Sequence, residues 1–440
     1  MNKETVLKDF TKYVSLSVLG VISFSCYIFA DTLFVARALG PNGLTALNLS
    51  IWVFSILQAL ALMIGIGGAT QYTISKSRGE AANLVFTYSL FSGLFVAIVF
   101  VFIGFFLVAP LVKTLGADAT IYPLAKVYIQ TILYFSPVFI INTVLIAFIR
   151  NDNNPKLAMA GMVTGSFSNI VLDYIFLFPM SMGMFGAALA TGLSLILSTC
   201  VLSLHFFWKK NQLRFLICKT KIKEIVNTFL LGASAMVSEL SFAISLITFN
   251  LVILRIEGNL GVAAYGVVAN IAIIAISIFI GVAQGIQPLI SRGYGSGNIT
   301  LIKQPLKYAI ISVFIFSLVM YVIAYIFSSP IVSAFNSEAN ITLAALATTG
   351  LKIYFIGLIF AGINIVTAAF FSAVAYAKTG LLISLLRGCV LIIPMVIIFS
   401  AVLGMNGVWL SFVLTEFIVC ALSLIFLYVK ILKNKKGRGV

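Results

Sequence analysis

Apolar residues run along almost the whole chain in stretches of about twenty or more, separated by short polar segments. A helix of this length crosses the hydrocarbon core of a bilayer. The stretches are continuously apolar rather than alternating, which argues against a transmembrane β-barrel. The pattern predicts an all-α integral membrane protein with about twelve spans, numbered 1 to 12 in chain order: 12–36, 45–72, 84–109, 121–148, 157–178, 186–207, 225–252, 262–289, 306–328, 343–371, 379–402 and 407–430.

The first residues, 1–11, are polar and of mixed charge, and they lead directly into a full-length span. We therefore expect an uncleaved first helix rather than a signal peptide. An even number of spans places both termini on the same side of the membrane.

Charge indicates which side that is. The chain carries a net charge of +16, but its basic residues lie in the short segments between apolar stretches. Most of the 28 Lys and Arg residues fall on the side of the termini, which is typical of cytoplasmic segments. We expect a multi-pass protein of the plasma membrane with both termini cytoplasmic, membrane lipid as its surroundings and no nucleic-acid partner. The predicted outer segments keep Arg37, Lys113, Lys126, Arg255 and Lys352.

Short motifs of the first half return in the second half. Gly183-Met184-Phe185-Gly186-Ala187 resembles Gly404-Met405-Asn406-Gly407-Val408, and Ile74-Ser75 with Gly79 resembles Ile290-Ser291 with Gly295. Matches in the same order at a similar spacing indicate a duplication of six spans. We therefore predict two six-helix lobes, 1–207 and 225–440, joined by a basic cytoplasmic linker, 208–224; the second lobe ends in a short basic cytoplasmic tail.

The five cysteines form no C-x-x-C motif, and His205 is the only histidine. Zinc, haem and disulfide sites therefore have little support. No bound cofactor is expected.

Two polar residues in span 5 are the first candidates for a functional site. Asn169 and Asp173 are four residues apart, so they share one face of a helix. A carboxylate at membrane depth costs at least a few kcal/mol unless a cation, a proton or a polar group compensates it. Asp31 in span 1 and Thr191 in span 6 fall at a similar depth. The oxygen ligands suit sodium, whereas a close carboxylate pair suits a proton, and the pattern does not choose between them.

The second half has its own charged residues within spans. Glu239 lies in span 7, Glu416 in span 12 and Arg387 in span 11. Arg387 is the natural counter-ion of one of the two carboxylates, and the sequence leaves open which one. The group is either a buried ion pair that holds the bundle together or a second site for a cation or substrate.

Several further motifs are spread over essentially the whole chain: Asp31-Thr32-Leu33-Phe34-Val35, Arg150-Asn151-Asp152-Asn153-Asn154-Pro155-Lys156, Asn169 to Asp173, Gly186 to Thr191, and Gln284-Gly285-Ile286-Gln287-Pro288-Leu289-Ile290-Ser291. Together they resemble the MATE (multidrug and toxic compound extrusion) family, in particular its MepA-type bacterial branch.

The resemblance implies a twelve-helix antiporter that exports small organic cations and amphipathic compounds, functional as a monomer, in exchange for Na+ or H+, by alternating access. It implies a cation site made by Asp31, Asn169, Asp173 and Thr191, with Asn142 as a neighbouring partner. Glu239 matches the acidic position of span 7 in the MepA-type branch, which implies a drug or coupling role.

Two alternatives remain open. Related folds move lipids or lipid-linked sugars, and Arg387 could serve an anionic headgroup. A membrane-embedded enzyme is the remote alternative, because no metal-ligand spacing or nucleophile motif is present in the sequence.

Overall fold

The computed structural model describes residues 3–216, 222–336 and 340–432, with the backbone alone at 431–432. Residues 217–221 of the predicted linker and 433–440 of the predicted tail lie outside the described residues. The described chain is built from α-helices that are interrupted by π-helical turns at Ile103–Leu107 and Leu386–Val390. The helices are α1 (Lys3–Ser77), α2 (Ala82–Phe102), α3 (Val108–Thr114), α4 (Ile121–Tyr134), α5 (Ser136–Asn151), α6 (Pro155–Leu177), α7 (Gly183–Ser203), α8 (Ile222–Gly295), α9 (Ile299–Ile326), α10 (Ser328–Phe335), α11 (Ile341–Ala373), α12 (Ala377–Leu385) and α13 (Ile392–Leu427).

The number of membrane crossings follows from the lengths of these helices. Within the described ranges, eight helical segments are long and apolar enough to span a membrane, and the bent pair α4–α5 makes a ninth. Three of the nine contain 75, 74 and 54 residues, far more than the roughly 20 that one crossing needs. Each of the three is divided by a single non-helical glycine, Gly40, Gly258 or Gly404. Dividing them there gives twelve spans, as predicted.

The three dividing glycines replace loops that the sequence predicts to be longer. Gly40 has φ 65° and ψ −159°, and Gly258 has φ 61° and ψ −153°. These values lie in a region that is essentially restricted to glycine. The chain therefore turns at one residue and resumes a helix at once, and the helices continue beyond their apolar stretches.

The backbone carries the mark of the predicted duplication. Residues with positive φ recur at nearly constant separations: Gly40 with Gly258 (258 − 40 = 218), Asn153 with Ala375 (375 − 153 = 222), and Gly183 with Gly404 (404 − 183 = 221). Gly79 corresponds in the same way to Gly297, whereas the sequence motifs align it with Gly295. The repeated turns support two copies of one six-span unit.

The chain forms two compact units. One is Ser15–Met236, and the other combines Met1–Val14 with Val237–Val440. Each unit is a bundle of helices. The predicted lobe boundary at 208–224 describes the duplication and stays a prediction, since these units divide inside α1 and inside α8.

Within the unit Ser15–Met236, α1 and α8 touch backbone to backbone. A Cβ added to Gly67 would lie 2.0 Å from the carbonyl oxygen of Thr228, and one added to Gly232 would lie 1.9 Å from that of Met63. Small residues permit such close packing of membrane helices. The first part of α8 therefore packs against the second part of α1.

The same unit contains a buried polar cluster, which we call the Asp152 hub, where α5 ends. Its members are Asp152, Tyr72, Lys76, His205 and the backbone N–H of Gln212. The Lys76 ammonium lies 2.6 Å from one Asp152 oxygen, and His205 Nε2 lies 2.9 Å from the other. Gln212 N–H donates to the second oxygen at 2.9 Å, and the Tyr72 hydroxyl donates to the first at 3.1 Å. The hub fastens the segment after α7 to the ends of α1 and α5.

Candidate functional site

The structure brings Asp31, Asn169, Asp173 and Thr191 into one buried cluster in the unit Ser15–Met236. Asn169 and Asp173 lie one turn apart on α6, which packs along α7. The Asn169 amide donates to the Thr191 hydroxyl at 3.3 Å, and that hydroxyl donates to the carbonyl of Ala187 at 3.2 Å. The Asn169 oxygen itself accepts no hydrogen bond from a described residue.

The carboxyl groups of Asp31 and Asp173 lie close enough for their charges to interact. Two ionised carboxylates cannot satisfy one another, because both only accept hydrogen bonds. Among the described residues, Asp31 Oδ1, both oxygens of Asp173 and Asn169 Oδ1 are buried without a donor. No Lys, Arg or His in the described ranges forms an ion pair with either carboxylate. The cluster therefore presents several acceptor oxygens and no positive charge of its own.

Tyr128 also belongs to this cluster, and the sequence reasoning missed it. Its side chain lies near those of Thr191, Asp31, Asp173 and Tyr27. Tyr128 comes from α4, so four spans contribute to the site. One tyrosine among 16 in an apolar chain gives no signal by position or spacing.

Asn142 lies elsewhere. Its amide donates to Ser198 Oγ at 2.8 Å and to Thr199 Oγ1 at 3.0 Å, and it reaches the carbonyl of Leu195 at 3.5 Å. It therefore ties α5 to α7 about two turns along α7 from Thr191. These hydrogen bonds direct the amide toward α7 rather than toward the carboxyl groups.

The second unit holds a different arrangement around Glu416. Arg387 Nη2 lies 2.7 Å from Glu416 Oε1, and Arg387 Nε lies 3.1 and 3.3 Å from the two oxygens. The Asn364 amide donates to Glu416 Oε2 at 2.7 Å and to the carbonyl of Glu416 at 2.9 Å. Arg387 therefore pairs with Glu416, which answers the question that the sequence left open.

Glu239 is not part of this pair. It is partly buried on α8, and among the described residues it has no hydrogen-bond or ion-pair partner. Its neighbour Ser238 donates to Ser384 at 3.1 Å, so this stretch of α8 packs against α12. The charge of Glu239 is thus not compensated by any described residue, in contrast to that of Glu416.

These donor sets limit the chemistry. Within the described part of the chain, no group of three or more His, Cys, Asp or Glu residues could hold a metal ion. The cluster around Asp173 offers carboxylate, amide and hydroxyl oxygens instead, which suit a hard monovalent cation or a shared proton. It contains no group with the geometry of an activated nucleophile.

Comparison with known proteins decides the family. Residues 17–175 and 234–398 match the sequence model of the MatE family. The chain belongs to the MatE family. Members of the MatE family are transporters and not enzymes, so this chain is a multi-pass membrane transporter.

Relatives of this MatE protein cover nearly its whole length. It is 24% identical over 427 residues to the multidrug export protein MepA of Staphylococcus saprophyticus, covering 96% of this chain and 93% of that protein. MepA of Staphylococcus haemolyticus is also 24% identical, over 435 residues, covering 97% of this chain and 94% of that protein.

Solved structures share the fold. A MOP-superfamily transporter from Pyrococcus furiosus superposes with a TM-score of 0.91 at 23% identity, covering 98% of this chain and 97% of the other. A multidrug-resistance MATE transporter in an outward-facing conformation gives the same TM-score, identity and coverage. The likeness confirms the predicted all-α membrane fold.

Proposed function

We propose that this chain is a cation-coupled exporter of small organic cations and amphipathic compounds at the plasma membrane, working by alternating access. Asp31, Asn169, Asp173 and Thr191 bind the coupling cation, with Tyr128 at their edge. The observation that carries the proposal is the group of buried acceptor oxygens without donors around Asp173. The relatives named multidrug export proteins support the kind of cargo.

The physical argument starts from the unfavourable burial of charge. Two carboxyl groups side by side within a membrane strongly favour uptake of a positive charge. A sodium ion would be held by oxygens of these four residues, and a proton would be shared between Asp31 and Asp173. If uptake of the cation favours one conformation and cargo favours the other, the two movements become coupled.

The lipid-flippase alternative loses its support from charge. Its sequence argument is that Arg387 could receive an anionic headgroup. The guanidinium instead forms three hydrogen bonds to Glu416 and is largely buried. We therefore retain the exporter as the proposal.

The test uses purified protein in proteoliposomes with a fluorescent cationic dye as cargo. Wild type should move dye either under a sodium gradient without a pH gradient or under a pH gradient without a sodium gradient. The gradient that drives the movement identifies the coupling ion. Asp173→Asn should reduce this movement to the level of empty liposomes. Glu257→Gln removes the same charge from an exposed position and should keep the wild-type rate. Wild-type export by Asp173→Asn under both gradients would refute the proposed site.

A further inference from the structure

Glu416 is the most completely satisfied carboxylate within the membrane-spanning part of the described chain. Oε1 accepts from Nη2 and Nε of Arg387, and Oε2 accepts from Asn364 and again from Arg387 Nε. The carboxylate is 3% exposed, so solvent contributes little to its stabilisation. The other titratable groups near it are Tyr354 and Cys420.

The contrast with the cluster around Asp173 is one of charge. There, two carboxyl groups lie together with no Lys, Arg or His paired to them in the described ranges, and several oxygens lack donors. Around Glu416, the positive charge is covalently part of the protein. Arg387 occupies the place that a mobile cation would otherwise take.

The duplicated fold does not require this pair. Asn364 corresponds to Asn142 (364 − 142 = 222), and both amides reach a carbonyl of the last span of their repeat, at Glu416 and Leu195 respectively. The position of Glu416 is therefore filled by an apolar residue in the first repeat. In the first repeat, the corresponding contact between Asn142 and the last span forms without a charged residue. The ion pair of the second repeat therefore adds a property beyond packing.

We propose that Arg387 is a built-in counter-ion that prevents Glu416 from taking up a coupling cation or a cationic substrate. Within the spans of this unit, Glu239 is then the carboxylate that remains available to a cation. The pair selects where positive charge binds; it positions no cargo itself. This inference goes beyond the proposed function and does not depend on whether Asp31 and Asp173 bind the coupling ion.

The guanidinium forms its contacts from the π-helical turn Leu386–Val390 between α12 and α13. Such single π-turns occur frequently at functional sites. Removing one partner of a buried pair leaves an uncompensated charge, whereas replacing both with neutral groups is often tolerated. The single and double variants therefore separate a lost counter-ion from a lost structural contact.

The experiment measures cation binding by purified full-length protein. In a chain carrying Asp31→Asn, Asp173→Asn and Glu239→Gln, Glu416 is the remaining carboxylate within the twelve predicted spans. Adding Arg387→Gln should create about one new site for sodium or for a proton, and adding Glu416→Gln as well should remove it. Sodium binding at constant pH and proton uptake without sodium are measured separately, so that the two ions are distinguished.

Thermal unfolding provides the second measurement, because a ligand that binds the folded state raises its stability. Arg387→Gln alone should be stabilised by sodium or by acid more than wild type is. The double variant Arg387→Gln/Glu416→Gln should respond as wild type does and keep its dye export. An equal cation response of the single and double variants would overturn the inference. A folded double variant that loses dye export would also overturn it, because the pair would then take part in transport.

If Arg387→Gln does not fold, the double variant still tests the inference through its dye export, because loss of export by the folded double variant would overturn it. Failure of the proposed function has a different signature. Wild type would then show no cation-driven dye movement, while the gain of a cation site on removal of Arg387 would be unaffected.

Discussion

Asp152 shows how one residue can be both buried and charged. Burial by itself would raise the pKa of this carboxyl group. Hydrogen bonds from His205, the Gln212 amide and Lys76, with the charge of Lys76, outweigh that effect and hold the pKa below its usual 3.8. A carboxylate with a lowered pKa stabilises the folded state at every pH above its unfolded pKa. The hub therefore contributes stability at neutral pH and loses it in acid.

Asp152→Asn should lower the free energy of unfolding by about 3 kcal/mol at pH 7, because it leaves Lys76 without its counter-charge and replaces one of the two acceptor oxygens by an NH2 donor. As the pH falls below about 4, wild type loses the contribution of Asp152, and the difference between the two proteins should shrink. Chemical unfolding in detergent from pH 3 to 7 measures this. Glu80→Gln, an exposed acid near the same end of α1, is the control and should show no difference at any pH. A difference that stays constant into acid would contradict the assigned charge.

The candidate site could be predicted from sequence only as far as its charged and amide residues. Asp31, Asn169, Asp173 and Thr191 stand out because polar groups in apolar spans are costly and therefore conspicuous. Tyr128 could not be predicted, since a tyrosine is common in such spans and its partners come from other helices. The pairing of Arg387 with Glu416 could not be predicted either, because it depends on how α12 and α13 pack.

At the scale of the helices, the sequence predicts their number well and their ends poorly. The apolar pattern marks where a helix leaves the bilayer, which need not be where the helix ends. The structure shows that α1 continues through Arg37 and resumes immediately after Gly40. Backbone hydrogen bonding rather than hydropathy decides where a helix ends, and the decisive signal is the isolated glycine.

Gly258→Ala should lower the unfolding temperature, because φ 61° and ψ −153° cost an alanine about 1 to 3 kcal/mol. The added Cβ would meet no atom within 4 Å, so the effect is one of backbone strain alone. Gly266→Ala is the matched control on the same helix: its Cβ also meets nothing within 4 Å, and its backbone lacks a positive φ. The control should be neutral or stabilising by about 0.5 to 1 kcal/mol. Equal unfolding temperatures for the two variants would show that the turn carries no strain.

At the scale of the whole molecule, the duplication and the number of spans could be predicted from the sequence, while the division into compact units is a separate property of the packing. The sequence places the boundary between lobes in the basic segment 208–224. That boundary describes the duplicated chain and stays a prediction. The compact units divide after Val14 and after Met236, within helices, because packing follows close contacts such as that of Gly67 with Gly232. A polar linker indicates where the chain is exposed to water, and it does not indicate where one packed unit ends and the next begins.

The orientation in the membrane remains a prediction and can be tested directly. In a chain with its five cysteines replaced by serine, Lys113→Cys should react with a membrane-impermeant maleimide on intact cells. Lys210→Cys should react only in everted vesicles, since it belongs to the predicted cytoplasmic side. Both lysines are exposed, so accessibility within the protein is matched. The reverse labelling pattern would place both termini outside.

The contact of Gly67 with Gly232 has a consequence for biosynthesis. Membrane spans are released from the ribosome in chain order, so residues 15–207 are inserted before residues 222–236 have been made. Until the start of α8 arrives, the surface around Gly67 lacks its neighbour. The packing of the first six spans is therefore completed only when the seventh span has been made. A gene divided at the linker would give an N-terminal fragment that lacks residues 222–236, against which Gly67 packs.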